Sequence, residues 1–514
     1  SADGLAAARG RLLTRGLAAG PGAASGRIAL NAGRAVAMAA DGGGPVMLVR
    51  RETSPEDIAG MDAAAGILTA RGGATSHAAV VARGMGKPCI VGCESISVDE
   101  EERVIRCADA VIPEGEAISI DGSTGEVYRG EISTHGSEIG RVLTGELGAG
   151  ESVLYQRFEG FMAWADEHRS MKVRANADTP DEARLARSLG AEGIGLCRTE
   201  HMFFGPEAER ILDFRKMILA TDDGGRRGAL DSLLSYQRQD FIGIFHAMNS
   251  LPVTIRLLDP PLHEFLPQSD EEIDRFAREA GLDRALVRAR AEETRESNPM
   301  LGLRGCRLGI THPEIYEMQM RAIIEAALEA RREGVQAVPE IMIPLTAIHT
   351  ETDTLRDRLE AVAERVFEER GVAPTDLPYL FGTMIEIPRA ALTADRIAET
   401  LDFFSFGTND LTQMTFGLSR DDTAALLIDY VENGLLPRDP FSSLDVDGVG
   451  SLIDIAIDKG RRARPRLKIG ICGEHGGDPD SVTFCARRGF DYVSCSPRRV
   501  PVARLAAAQA ALEG

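Results

Sequence analysis

The chain has 514 residues, with 58 Lys and Arg against 79 Asp and Glu, a formal net charge of −21 at pH 7, and 44% hydrophobic residues. That composition supplies large cores, and with no basic block and no apolar run of membrane-spanning length it argues against nucleic acid or a membrane as the main partner. Eight cysteines without zinc-type spacing, and no signal-peptide pattern at the start, point to reduced thiols in the cytoplasm.

Residues 1–16 read as a short lead-in helix or linker. From Leu17 to Gly130, short β-prone runs (GRIAL, PVMLVR, GILTA, CIVG, AISI) alternate with Gly/Pro/Asp turns and helical stretches, the texture of a small α/β domain. Within it ETSPEDIAGMDAA reads as a helix with a Ser-Pro start, and IDGSTGEVYRG as a closing hairpin. Residues 131–152, rich in Gly, Ser and Glu, form a connector, and the boundary is placed there.

Residues 153–514 alternate strand and helix patterns, the signature of parallel β/α units. Nine candidate strands (MKVRANAD, GIGLCRTE, VTIRLLD, LGLRGC, PEIMIPL, YLFGTMIEI, FFSFGTND, KIGICGE and YVSCSP) compete for the eight positions of a (β/α)8 TIM-type barrel, so one is surplus, and LGLRGC and YVSCSP fit least well. A doubly wound sheet is the alternative. Residues 203–251 and 262–298 read as helical insertions decorating the barrel, and the single tryptophan, Trp164, as a packing residue.

In GGATSHAAVVARGMGKPC, residues 72–89, a Gly-Gly turn leads to His77 at the start of an Ala/Val-rich helix that Thr75 or Ser76 can cap. Helix N-terminal N–H groups favour a neutral imidazole, a nucleophile, and welcome a phosphate. The plainer reading is a capped surface helix with an incidental histidine.

At or just after apolar strand runs stand Arg198, Arg256, Arg304 and Arg420, whose planar forks suit phosphate and carboxylate. In so acidic a chain, the four together imply an anionic substrate. Glu386 in GTMIEIP and Asp410 in FGTNDLTQ end neighbouring strands, a pair that suits Mg²⁺, or alternatively pairs with those arginines. Cys472, in KIGICGEHGGDP, precedes a Gly-rich loop; most cysteines so placed are inert core residues.

The segment around His77, GGATSHAAVVARGMGKPCIVGC, resembles the phosphohistidine segment of enzymes that interconvert phosphoenolpyruvate (PEP) and pyruvate, and its Thr-Ser before the histidine resembles the pyruvate, phosphate dikinase form rather than the Thr-Cys of PEP synthases. The barrel segments match the same family. The resemblance implies a small swivelling phosphohistidine domain at 17–130, a hinge at 131–152 and a PEP/pyruvate barrel. It makes His77 the phosphoryl carrier and Cys472 the acid/base at C3 of pyruvate. Arg198, Arg256, Arg304 and Arg420 then surround the phosphoryl group, Gly407, Thr408 and Asn409 bind substrate, and Glu386 and Asp410 hold Mg²⁺. It also marks Thr75 as a position that regulatory kinases modify, and implies a homodimer through the barrel. With only 76 residues before His77, the ATP half-reaction is expected to need an ATP-binding domain or protein in trans. Arg498 departs from the family pattern, where Phe is usual, which bears on local loop packing. A catalytically silent or regulatory PEP-binding relative, or a PEP synthase-like enzyme, is the alternative.

Overall fold

A computed structural model describes residues 9–53, 57–73, 76–85, 87–107, 110–132, 137–204, 208–220, 223–267, 269–296, 298–420 and 423–513. They fall into two compact units, one drawn from 1–140 and 423–436, the other from 141–422 and 437–514. Among the described residues no helix is long and apolar enough to cross a membrane.

The first unit is built on strands β1 (Leu12–Arg15), β2 (Leu17–Gly20), β3 (Ala23–Ala29), β4 (Val46–Arg50), β5 (Gly66–Thr69), β6 (Cys89–Val91), β7 (Ile96–Asp99), β8 (Val104–Cys107), β9 (Ala110–Pro113), β10 (Ala117–Asp121) and β11 (Glu126–Arg129). Eight of them make one sheet in the order β1-β11-β10-β3-β4-β5-β6-β2, and β7-β8-β9 make a second. The run VMLV in β4 is apolar throughout because both faces are covered. Val46 and Leu48 join the cluster under the helices Ala32–Ala40, Ile58–Ala63 and His77–Gly84, whereas Met47 and Val49 join the cluster that includes Ile96, Ile105 and Ile112 of the small sheet. The hairpin expected at 117–129 is present as β10 and β11. Residues 12–15 are not a lead-in helix: they pair antiparallel with β11 as an edge strand. The Ser-Pro start at 54–55 lies outside the described residues.

In the second unit, β12 (Lys172–Asn176), β13 (Ile194–Arg198), β14 (Pro252–Arg256), β15 (Val338–Ile343), β16 (Leu380–Ile385), β17 (Phe403–Phe406), β18 (Lys468–Ile471) and β19 (Tyr492–Cys495) close a parallel barrel. Closure is made by β19 on β12, from Lys172 opposite Tyr492 to Ala175 opposite Cys495. YVSCSP is therefore a true strand, and LGLRGC is the surplus one. Gly305 in it has φ +58, and a Cβ there would lie 2.6 Å from Leu345 Cβ, so the segment turns and enters the helix Cys306–Thr311.

The segment 203–251 is not purely a decoration. Its helix Asp223–Ala247 packs against the helices Pro180–Ser188 and Pro313–Arg332 and so takes a place in the outer ring. The helices Asp270–Ala280 and Arg284–Thr294 do form an appendage, with a small core of their own around Ile273, Phe276 and Val287. Trp164 does not pack inward: it is 64% exposed on the helix Val153–His168, beside Phe161 on the same outward surface.

Inside the barrel lies a polar layer. Glu340 of β15 accepts hydrogen bonds from Arg174 of β12 (2.8 Å) and Thr254 of β14 (2.8 Å), and is paired with Lys468 of β18. Arg174 also stacks over the ring of Tyr492, 4.1 Å from its centroid. Groups from four strands thus meet on the one Glu340 carboxylate, with Arg174 over the Tyr492 ring and Lys468 over the Phe403 ring.

Candidate functional site

Barrel strands run parallel, so the residues at their C-terminal ends share one rim, where barrel sites are built. Arg198 ends β13 and Arg256 ends β14, while Arg304 stands in the turn before Cys306–Thr311. Asp259 ties the last two together: its Oδ2 lies 2.9 Å from Arg256 Nη1 and 2.6 Å from Arg304 Nη2. Arg256 is also paired with Glu200, and Arg304 Nη1 lies 3.3 Å from Asp410 Oδ1. Burial raises the Asp259 carboxyl, but Arg256 and Arg304 outweigh it and hold the group below its ordinary range. Arg198 is less enclosed and lies 3.5 Å from Asp178 Oδ2. Arg420 is exposed after the helix Thr408–Phe416; its backbone N–H donates to Gln413, and among the described residues it joins no ion pair.

Glu386 follows β16 and is fully buried. Its Oε1 accepts the Leu345 N–H at 2.6 Å, and its Oε2 has no partner. Gly407 is close beside it, since a Cβ there would lie 2.3 Å from Oε2. Burial, then Asp410, then Asp259 push the Glu386 carboxyl well up; burial also raises Asp410 against the pull of Arg304. Two enclosed carboxylates that resist carrying charge together, one with a bare oxygen, are a fit for a divalent cation. Among the described residues no group of three or more His, Cys, Asp or Glu could hold a metal. A hard cation here would therefore depend on this pair, with water and substrate oxygens completing its shell, as suits Mg²⁺.

Gly407 precedes the helix Thr408–Phe416, which places Thr408, Asn409 and Asp410 in its first turn. The Cys472 loop is laced to this turn. Cys472 N–H donates to Phe406 O (3.1 Å), Glu474 N–H to Asn409 Oδ1 (3.2 Å), and the fully buried His475 meets Thr408 Oγ1 through Nδ1 (2.7 Å) and Pro440 O through Nε2 (2.8 Å). Because the Pro440 carbonyl only accepts, Nε2 carries the proton and Nδ1 accepts from Thr408; burial depresses the imidazole's proton affinity and keeps this neutral form. Gly473 is required by the same closeness, since a Cβ there would lie 2.0 Å from Thr408 Oγ1. The Cys472 thiol is 2% exposed, and burial pushes it up to about 11.

The barrel thus brings together Arg256, Arg304, Glu386 and Asp410 in one linked cluster, with Arg198 on the same rim, and ties the Cys472 loop to the turn of Gly407, Thr408 and Asn409. Sequence reasoning missed Asp259, Glu200 and Asp178. The Asp-Pro-Pro that ends VTIRLLDPP was a usable signal for Asp259, a charged residue at a strand end before a forced turn.

In the first unit, β5 leads into the loop before His77. Thr69 Oγ1 donates to Arg71 O at 2.6 Å and Cys93 N–H to Thr69 O at 3.0 Å, fixing the loop's entry. Gly72 turns with φ +109. His77 is the first residue of the helix His77–Gly84, which buries Ala78, Ala79 and Ala82 against the sheet. Ser76 does not cap it: the hydroxyl is buried without a partner among the described residues. Thr75 lies outside the described residues. A cleft of about 820 Å³ beside the loop is lined by Arg51, Arg71, Gly72, Gly73 and Glu94 among others.

Comparison with known proteins agrees with this geometry. Residues 42–125 match the family described as PEP-utilising enzyme, mobile domain, and residues 153–512 match PEP-utilising enzyme, PEP-binding domain. The chain is 57% identical over 508 residues to the pyruvate, phosphate dikinase of Rhizobium meliloti (strain 1021), covering 99% of this chain and 54% of the relative. It is 56% identical to pyruvate, phosphate dikinase 1, chloroplastic, of Arabidopsis thaliana (98% of this chain, 50% of the relative) and 53% identical to the pyruvate, phosphate dikinase of Clostridium symbiosum (98% and 55%). The chain spans about half the length of these curated relatives. A family match across 153–512, most of the chain, over a barrel whose mouth gathers arginines and carboxylates, places it: the chain belongs to the PEP-utilising enzymes.

Proposed function

We propose that the chain interconverts PEP and pyruvate by passing the phosphoryl group to and from His77, the half-reaction of the kind that pyruvate, phosphate dikinases complete. The observation that carries this reading is the linked cluster of Arg256, Arg304, Glu386 and Asp410 at the barrel mouth. In the direction that consumes PEP, the imidazole of His77 attacks phosphorus, the bond from phosphorus to the enol oxygen breaks, and Cys472 gives its proton to C3. A thiol pushed up to about 11 keeps its proton at neutral pH, which suits a donor. In reverse, the Cys472 thiolate takes a methyl proton, the enolate oxygen attacks phosphorus, and the bond from phosphorus to His77 breaks.

Arg198, Arg256, Arg304 and Arg420 neutralise the moving group, and Gly407, Thr408 and Asn409 bind the substrate's carboxylate end. Glu386 and Asp410 would hold Mg²⁺, which when bound supplies Lewis-acid stabilisation of the enolate. Residues 17–130 would carry the histidine as a swivelling domain, 131–152 would be the hinge, and 153–514 the substrate barrel. The ATP half-reaction would need a further domain or protein in trans. A homodimer through the barrel, a cytoplasmic location and control by phosphorylation of Thr75 belong to the same reading; a phosphate at Thr75 would repel an incoming phosphoryl group. A regulatory PEP-binding relative and a PEP synthase-like enzyme are the competing assignments, the latter disfavoured by Ser76 before the histidine.

Single-turnover labelling tests the proposal: the purified chain with Mg²⁺ and phosphate-labelled PEP, beside His77→Ala and Cys472→Ala. Alkali-stable label on His77 with stoichiometric pyruvate is expected in the wild type alone. A wild type that binds PEP yet stays unlabelled, even with an ATP-binding domain supplied in trans, would leave the regulatory assignment standing.

A further inference from the structure

One polar pair on the rim of the barrel is not used by the chemistry above. Asp178 follows β12, and His201 lies in the 3-10 turn Thr199–Phe204 that follows β13, so both stand where the strands' C-terminal ends open. Asp178 Oδ1 accepts the backbone N–H of Arg198 at 2.6 Å. Its Oδ2 lies 2.7 Å from His201 Nδ1 and 3.5 Å from Arg198 Nη1. A carboxylate only accepts, so Nδ1 carries the proton in this bond and Nε2 is left on the far side of the ring. The His201 side chain is 52% exposed, and among the described residues none bonds Nε2. An imidazole and a guanidinium that share one carboxylate oxygen are held as neighbours at the open end of the site.

Their charges fit the same ligand. The hydrogen bond from Asp178 raises the proton affinity of His201, with burial and Arg198 opposing and Glu200 assisting, so the ring is more often a cation near neutral pH than a free histidine. Asp178 itself stays ionised: burial raises it, but His201 and Arg198 lower it further. An imidazolium and a guanidinium held as neighbours by one carboxylate oxygen offer charge-assisted donors of the kind that a phosphate monoester dianion accepts.

We propose that His201 is a further ligand of the substrate's phosphoryl oxygens, and that Asp178 is the positioning residue that sets His201 and Arg198 as a pair. The inference rests on the PEP reading, since it adds a contact to that same site. No bond is made or broken by His201; it donates Nε2–H to a phosphoryl oxygen and keeps its proton.

Calorimetric titration of the full chain with Mg²⁺ separates the two ideas, using PEP and, in parallel, oxalate, which presents the carboxylate and enolate-like oxygens but no phosphoryl group. His201→Ala is expected to weaken PEP on the order of tenfold and to leave oxalate within about twofold, the size of a charge-assisted hydrogen bond. His201→Gln, which keeps a neutral donor, should restore part of the PEP affinity. In Asp178→Asn the imidazole loses its anionic partner and titrates lower, so the PEP affinity should fall more at pH 8 than at pH 6. Equal weakening of PEP and oxalate in His201→Ala would reduce the pair to a structural brace, and unchanged PEP affinity would remove it from the site. A wild type that fails to bind PEP would sink the PEP reading itself, whereas a wild type and His201→Ala that bind PEP alike would sink only this inference.

Discussion

Removing the charge of Glu340 tests whether the barrel's buried polar layer is a net stabiliser. Arg174 and Lys468 hold the Glu340 carboxyl down to about 2 against burial, from an ordinary 4.5. That difference corresponds to about 3 kcal/mol of stability. Because the folded group titrates below the unfolded one, this stabilisation is complete above about pH 4.5 and is lost as the pH falls towards 2. Glu340→Gln keeps the shape and the Thr254 contact but leaves Arg174 and Lys468 facing each other inside the barrel, for an expected loss of roughly 3–5 kcal/mol at pH 7. Urea unfolding of both proteins, followed by far-ultraviolet circular dichroism at pH 7 and again near pH 3, measures it. The gap should narrow at acid pH, because between about pH 4.5 and 2 the unfolded wild type takes up a proton on this carboxylate that the folded protein does not. A difference below about 1 kcal/mol at pH 7, or one that does not change with pH, would refute the argument that this ion cluster outweighs its desolvation.

Two further predictions concern the rim. Alkylation of Cys472 by iodoacetamide, mapped by mass spectrometry, should rise with pH towards a midpoint near 11, well above that of an ordinary thiol; a midpoint near 9 would mean that the thiol is solvated rather than buried. Glu386→Gln should raise the melting temperature of the metal-free chain at pH 7, since burial, Asp410 and Asp259 raise that carboxyl and its stability contribution declines as pH rises. The same variant should bind Mg²⁺ more weakly, and a melting temperature that drops in metal-free buffer would contradict the charge reading.

Much of the barrel was legible because parallel strands buried on both faces leave unmistakable apolar runs, each ended by a polar residue. LGLRGC misled because it has the same composition, Leu-rich and closed by Arg and Cys, and only the positive φ at Gly305 separates it from a strand. Glu200 and the role of Asp259 were hidden for a different reason: Asp-Pro-Pro marks Asp259 as a strand-end charge, but nothing local shows that it bridges two arginines 48 residues apart in the chain. The Glu340 cluster was likewise invisible, since Arg174, Thr254, Glu340 and Lys468 meet only when the barrel closes. The helix Asp223–Ala247 read as an insertion because its polar and apolar residues do not form a clean stripe, yet it takes a ring position between two other helices.

The closing pair of strands carries a consequence for synthesis. Lys172 finds its partner only when Tyr492 has been made, so through most of translation the barrel is an open sheet with two unpaired edges. The layer around Glu340, which needs Arg174 of β12 and Lys468 of β18 on opposite sides of it, therefore forms late, and a nascent or C-terminally clipped chain would be expected to expose unpaired strand edges.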